Sequence, residues 1–285
     1  MDRRINTDVV IATRNRRDEL LRTVRNLLDL RPRPRIVVVD NASTDGTAEA
    51  VAELHPRVEL IRAPHNLGAA ARNLGVLSCR AEHVAFSDDD SWWEHDALPR
   101  AEHLFAAHPS VGLIAGKTLV GELERTDPVN DLMARSPLQS SAELPGPRVL
   151  GFTACAAVVR RRAFQEVGGF DPMLFFGAEE KLLACDLAAA GWELVYAEDV
   201  VAHHHPSDAR LSRSDREALE LRNNLLIAWM RRSPSVATSE TLRALRRSRP
   251  AVAGALRRFP MAMRRRRRLP RRVEGELTAV ESQTS

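Results

Sequence analysis

Ile36-Val37-Val38-Val39-Asp40-Asn41-Ala42-Ser43-Thr44-Asp45-Gly46-Thr47 is a β-branched apolar run that stops on a carboxylate and turns through polar residues towards a helix. It reads as a strand over Arg35–Asp40 followed by a helix over Thr47–Leu54. Upstream, Asp8–Thr13 reads as a strand and Arg17–Leu30 as a helix. Downstream, Val58–Arg62 and His83–Ser87 read as strands, with the helix Ala69–Leu77 between them. Such alternation through the first 120 residues is the pattern of repeated strand–helix units feeding a mostly parallel sheet. In such sheets the carboxyl ends of the strands carry the ligand crevice. Thr13-Arg14-Asn15, Asp40-Asn41 and Asp88-Asp89-Asp90 each follow a strand, so they are expected to converge.

The second half is less regular. Residues 121–148 hold Pro128, Pro137, Pro145, Gly146 and Pro147 among polar residues and read as a long excursion or loop. A strand over Val149–Arg160, helices over Arg162–Val167 and Glu179–Ala190, and a strand over Glu193–Tyr196 follow. His203-His204-His205 reads as a loop, and Ser214–Arg232 as an amphipathic helix. The expected division is a body over 1–210, a helix over 211–240 and a flexible arginine-rich tail over 241–285.

The net charge of +4 conceals an asymmetry: residues 1–240 carry 29 basic and 35 acidic side chains, whereas Thr241–Val273 hold thirteen arginines and no acid. Such a segment suits an anionic membrane surface or nucleic acid, or simply stays solvated. No stretch reaches the roughly 18 apolar residues that a membrane span needs, and no signal-peptide pattern opens the chain. The expectation is a cytoplasmic protein, peripheral at most to the inner membrane face. Three widely spaced cysteines, Cys79, Cys155 and Cys185, read as reduced and buried.

Val84-Ala85-Phe86-Ser87-Asp88-Asp89-Asp90-Ser91-Trp92-Trp93 drives an apolar strand into three consecutive carboxylates. Adjacent carboxylates repel, and a hard divalent cation or a solvated turn offsets the repulsion. Asp40 can accept hydrogen bonds from a base or ribose, or serve as an Asx-turn before the helix. In Asn66-Leu67-Gly68-Ala69-Ala70-Ala71-Arg72-Asn73-Leu74-Gly75 one helix face is kept small, and the Arg72 fork suits a diphosphate or the surface. Trp92 and Trp93 could stack on a sugar or fill the core.

Taken together, V-V-V-D-N-A-S-T-D-G-T, N-L-G-A-A-A-R-N-L-G, F-S-D-D-D-S-W-W, V-G-G-F-D and the E-E…A-G-W…H tract resemble the inverting family 2 glycosyltransferases over roughly residues 8–205. The resemblance implies the GT-A fold, a Rossmann-like mixed, mostly parallel α/β sheet flanked by helices, here with a C-terminal helical and basic extension. It also implies a nucleotide-diphosphate-sugar donor and Mn²⁺ or Mg²⁺. Thr13, Arg14, Asn15, Asp40 and Asn41 would lie near the nucleotide, with Arg72 and Asp89 near the diphosphate. Asp88 and Asp90 match the D-x-D metal motif, and His203 a histidine that completes the metal site in some members. Glu179-Glu180 stand where the family usually has Glu-Asp, so Glu180 takes the place of the proposed base; Leu182 replaces an acid that often follows. Trp92, Trp93 and Gly151-Phe152-Thr153 would face the sugar or acceptor. A glycan or lipid-linked acceptor is implied, with an anionic membrane surface as a partner of the tail; nucleic acid is not expected. A sugar-nucleotide pyrophosphorylase would need a glycine- and lysine-rich loop where Thr13-Arg14-Asn15-Arg16-Arg17 stands. A non-catalytic glycan- or nucleic-acid-binding protein would have no need of both acidic groups.

Overall fold

A computed structural model describes residues 5–54, 57–207 and 213–283. The strands are β1 (Thr7–Thr13), β2 (Arg35–Asp40), β3 (Val58–Arg62), β4 (His83–Ser87), β5 (Ser91–Trp93), β6 (Val111–Val120), β7 (Arg125–Thr126), β8 (Ala157–Arg160) and β9 (Glu193–His204). The helices are α1 (Arg17–Asp29), α2 (Thr47–Ala52), α3 (Ala71–Ser78), α4 (Ala97–Ala107), α5 (Pro128–Ala134), α6 (Arg161–Val167), α7 (Glu179–Ala189), α8 (Arg213–Arg231), α9 (Pro234–Arg247), α10 (Arg249–Leu256), α11 (Phe259–Arg264) and α12 (Arg271–Gln283).

One sheet runs β3-β2-β1-β4-β8-β6-β9-β5, with β7 paired to β6. The first four strands are parallel, β8 runs against both its neighbours, and β9 is parallel to β6. The valines and isoleucines of β1 and β2 are buried on both faces, as a covered parallel sheet requires. Val10, Val37 and Phe86 pack into one apolar layer, and Ile11, Val38 and Ala85 into the layer behind it. Helices pack on both layers, and the register Thr13↔Asp40 brings two strand ends level. Ser87 sits opposite Ile11, so Asp88 emerges beside them.

Several expectations are corrected. The strand expected over Val149–Arg160 is only four residues long, because a 3₁₀ turn at Ala154–Ala156 bends the chain, sending Phe152 into one apolar layer and Cys155 into the other. The excursion over 121–148 contains β7 and α5, whose Asp127 caps its own helix by accepting from the Val129 amide. β9 runs eight residues beyond Tyr196. A bulge at Glu198–Val200 interrupts its apolar pattern, and the Val200 carbonyl presses against Gly116, where a Cβ would come within 2.3 Å. His203 and His204 therefore lie in a strand and not in a loop.

The segment expected to be a flexible tail is helical over α9 to α12. Val273 and Leu277 of α12 enter the layer that holds Val10 and Phe86, while Ala244, Val252, Ala255 and Ala262 pack around Leu226 and Met230 of α8. Small apolar residues spaced among the arginines give each helix a buried face, and the arginines find acids on the body. Arg265 pairs with Asp171, and Arg232 of the segment after α8 reaches Glu274 at 3.0 Å and Glu281 at 2.7 Å on α12.

Candidate active site

The three expected strand ends converge. Asn15, at φ 54°, receives a hydrogen bond from the Thr44 amide at 2.8 Å, and its own amide donates to Ser43 Oγ at 2.9 Å. Arg14 is exposed beside it. Asp40 is buried and accepts from the Ser43 amide at 3.3 Å, which is the Asx-turn geometry with carboxylate capacity left over. Asn41 is bound to structure: its side chain donates to the Gly68 carbonyl at 3.1 Å and accepts from the Leu67 amide at 2.7 Å. It braces the loop before α3.

Each carboxylate of the acidic triplet meets a different partner. Asp88 pairs with Arg72; Asp89 turns back and accepts from Thr13 Oγ1 at 2.9 Å; Asp90 lies 3.2 Å from His204 Nε2. Burial, followed by the charges of Asp88 and Asp90, pushes the Asp89 carboxyl up to about 7. Thr13 and Asp89 thus form an inner support for the loop, and Thr23 Oγ1 fixes the Asp89 carbonyl at 2.9 Å.

Asp88, Asp90 and His204 offer ligand atoms within 4.8 Å of one another. Two carboxylate oxygens and an imidazole form a donor set that fits Mn²⁺, and with added oxygens Mg²⁺. His203, the expected ligand, lies on the other face of β9: its ring stands 2.9 Å from Glu94 and 3.3 Å from Glu124. Alternation along the strand sends neighbouring histidines to opposite faces. The same rule separates the tryptophans of β5. Trp92 sits opposite His203, its ring 5.8 Å from that imidazole and 4.6 Å from His205, whereas Trp93 is 1% exposed in the core and walls no cleft.

Arg72 is buried, and burial alone would lower its pKa; Asp88, Glu179 and Glu180 outweigh that and hold its guanidinium above the ordinary value. The two glutamates open α7, where the helix dipole favours negative charge. Burial comes first in raising both carboxyls, with Glu179 adding its repulsion at Glu180. Glu180 keeps contact with solvent, while Glu179 is buried with one oxygen unpartnered. Around Gly151 space is open; Phe152, expected there to face the sugar, is instead core, and Thr153 Oγ1 lies 3.4 Å from Thr118 Oγ1.

Among His203-His204-His205 the β9 bulge, which the sequence does not reveal, turns His204 and not His203 to the acidic triplet. One further residue escaped the sequence reading. Asn223 of α8 is fully buried, and its amide nitrogen donates to the carbonyls of Leu174 and Phe176 at 2.9 Å and of Gly177 at 2.5 Å. It clamps the turn that enters α7, where Phe175, Gly177 and Ala178 all take positive φ. That turn also reaches Arg72's helix: the Phe175 carbonyl accepts from the Ala69 amide at 2.7 Å, and a Cβ on Gly68 would come within 2.1 Å of it. Nothing in a polar stretch such as Arg222-Asn223-Asn224 signals this role.

Known proteins resemble this chain in sequence and fold. The chain is 33% identical over 213 residues to a pre-mycofactocin glycosyltransferase of Mycobacterium tuberculosis, a match covering 71% of this chain and 43% of that protein. An N-acetylglucosaminyl-diphospho-decaprenol L-rhamnosyltransferase of the same organism is 29% identical over 207 residues, covering 60% and 66%. The chain therefore spans less than two thirds of either relative. The mannosyltransferase PcManGT of Pyrobaculum calidifontis, solved with GDP-Man and Mn²⁺, superposes with a TM-score of 0.61 at 22% identity, over 98% of this chain and 87% of that one, which establishes the shared GT-A fold. The family model described as glycosyl transferase family 2 matches residues 8–168, the span that carries the strand ends, Arg72 and the acidic triplet, and the chain belongs to that family.

Proposed function

We propose that this chain is a metal-dependent, inverting glycosyltransferase that moves a sugar from a nucleotide-diphosphate sugar to the hydroxyl of a lipid-linked or cell-envelope glycan. The observation that carries the reading is the meeting of Asp88, Asp90 and His204 with Arg72 on one side and the raised carboxyls of Glu179 and Glu180 close enough to act on that arginine. The lipid-linked acceptor rests on the rhamnosyltransferase relative, whose name specifies a diphospho-decaprenol substrate.

Thr13, Arg14, Asn15, Asp40 and Asn41 shape the nucleotide end, with Asp40 offering its free carboxylate capacity to the base or ribose. Arg72 meets the diphosphate, exchanging part of its pairing with Asp88 for the phosphate oxygens. Asp88, Asp90 and His204 hold the cation, which when bound screens the negative charge that gathers on the departing diphosphate. Glu180 takes the proton from the acceptor hydroxyl as its oxygen bonds to the anomeric carbon and the bond from that carbon to the phosphate oxygen breaks. Glu179 stays behind it and balances Arg72. Burial favours the neutral form of Glu180, which strengthens it as a base once ionised. Gly151 borders the space left for sugar or acceptor, whereas Trp92 stacks on His203 on the far face of β9.

A panel of nucleotide sugars, titrated with and without Mn²⁺ or Mg²⁺, tests this reading. Cation-dependent binding that Asp90→Ala abolishes is expected. Glu180→Gln should bind the same donor but lose about 10²-fold or more in transfer rate. Cation-independent binding across the panel, or full activity in Glu180→Gln, overturns it.

A further inference from the structure

Five large apolar side chains of the C-terminal helices remain in solvent: Leu242 at 56% exposure, Leu245 at 44%, Leu256 at 54%, Phe259 at 41% and Met261 at 48%. They alternate with exposed arginines, Arg243, Arg246 and Arg247 on α9 and Arg257 and Arg264 about α11. Leu242 and Leu245 share a face of α9 by their spacing. Phe259 stacks edge-on against Trp229, with ring centroids 5.1 Å apart, and the Trp229 indole N–H donates to Thr241 of α9 at 3.0 Å. α9 and α11 thus meet over one residue, which sets their exposed apolar residues on neighbouring helices.

Charge decides what covers this surface. A second copy would set an identical face, with the exposed Arg246, Arg247, Arg257 and Arg264, against its own like charge. A nucleic-acid backbone would satisfy the arginines and leave the leucines, Phe259 and Met261 in water. An anionic bilayer satisfies both: the apolar groups enter the boundary of the acyl region while the guanidinium groups stay at the phosphates. No helix among the described residues is long and apolar enough to cross a membrane, so contact is by surface docking. We propose that the face formed by Leu242, Leu245, Leu256, Phe259 and Met261 with the arginines between them docks this protein onto an anionic phospholipid bilayer. This goes beyond sugar transfer and holds whether or not the chain transfers sugar.

The test is partition of the full chain onto phosphatidylcholine vesicles with and without phosphatidylglycerol. The wild type is expected to bind only the anionic vesicles. Arg246→Gln with Arg247→Gln and Arg257→Gln should weaken that binding by roughly fivefold for each charge removed. Leu256→Ser with Phe259→Ser and Met261→Ser should weaken it by at least about tenfold. All six positions are exposed, so unchanged thermal melting will show that the variants fold. Equal partition of the wild type and both variants overturns the proposal. So does light scattering that shows a dimer undone by the apolar substitutions, or RNA binding that depends on the arginines in a protein that ignores vesicles.

Discussion

Asp88, Asp89 and Asp90 are tolerated next to one another because each meets a partner of its own, Arg72, Thr13 and His204 in turn. The two histidines of β9 can be separated by experiment. His204→Ala is expected to weaken Mn²⁺ binding by at least about tenfold, measured by calorimetry, and His203→Ala to leave it unchanged, since its ring is held by Glu94 and Glu124 on the other face. A loss confined to His203→Ala would return the site to the ligand expected from the sequence. Asn223 acts at one remove, through the turn before Glu179. Removing its amide takes a donor from the carbonyls of Phe176 and Gly177, while that of Leu174 keeps Arg222 and the Phe176 amide, and should cost about 2 kcal/mol of stability. Because the turn aims α7, Asn223→Ala should also lower kcat while leaving KM for the donor close to wild type; a rise in KM alone would reduce Asn223 to a packing residue. The triplet and the glutamate pair were legible from sequence, since adjacent charges demand a partner whatever the fold. Which histidine faced them was not, because that depends on strand register, and Asn223 was not, because a buried clamp in a polar helix looks like solvent-exposed surface.

At the level of elements, β2, β3 and β4 match their expected bounds to the residue, since each is a short apolar run closed by a charged or hydroxyl residue. β9 and β8 do not: a bulge extended one and a bend shortened the other, and both depend on contacts with distant chain. β4 carries a pH dependence of its own. His83 begins it, 5% exposed, stacked 4.4 Å from Phe105 and with neither ring nitrogen hydrogen-bonded. Burial pulls its pKa down from 6.5 to about 4. Between these values the unfolded chain binds the proton and the folded chain does not, so stability falls as pH drops through that window, by about 3 kcal/mol when the full shift is traversed. His83→Phe keeps the stacked pair and removes the titration. Urea midpoints at about pH 7 and about pH 4.5 should differ less in the variant than in the wild type; identical differences would show that other groups carry the acid sensitivity.

Across the whole molecule, the helices after α8 belong to the folded body in spite of a composition that reads as solvated. Their arginines mask a sparse apolar stripe, and the acids that meet them lie far away in sequence. Arg265, for example, pairs with Asp171 of the turn before α7. Ending the chain at Ser233 would uncover the layer filled by Val273 and Leu277 and strip the buried Arg232 of Glu274 and Glu281. Loss of partners by a buried charge costs roughly 3–5 kcal/mol by itself. The shortened protein is expected to aggregate or melt well below the full chain, as scanning calorimetry will read; an unchanged melting temperature would show that the helices are dispensable.

The three cysteines divide between the two faces of the sheet, Cys79 and Cys185 on one and Cys155 on the other. Burial is the main cause that carries the thiols of Cys79 and Cys185 up to about 12, and Cys155 also stands well above its ordinary value. At neutral pH almost no thiolate is present to react. The molecule thus carries its own clock for opening: a thiol-reactive dye should enter only when a layer parts, and the order in which the three sites are labelled tells which side of the sheet gives way first.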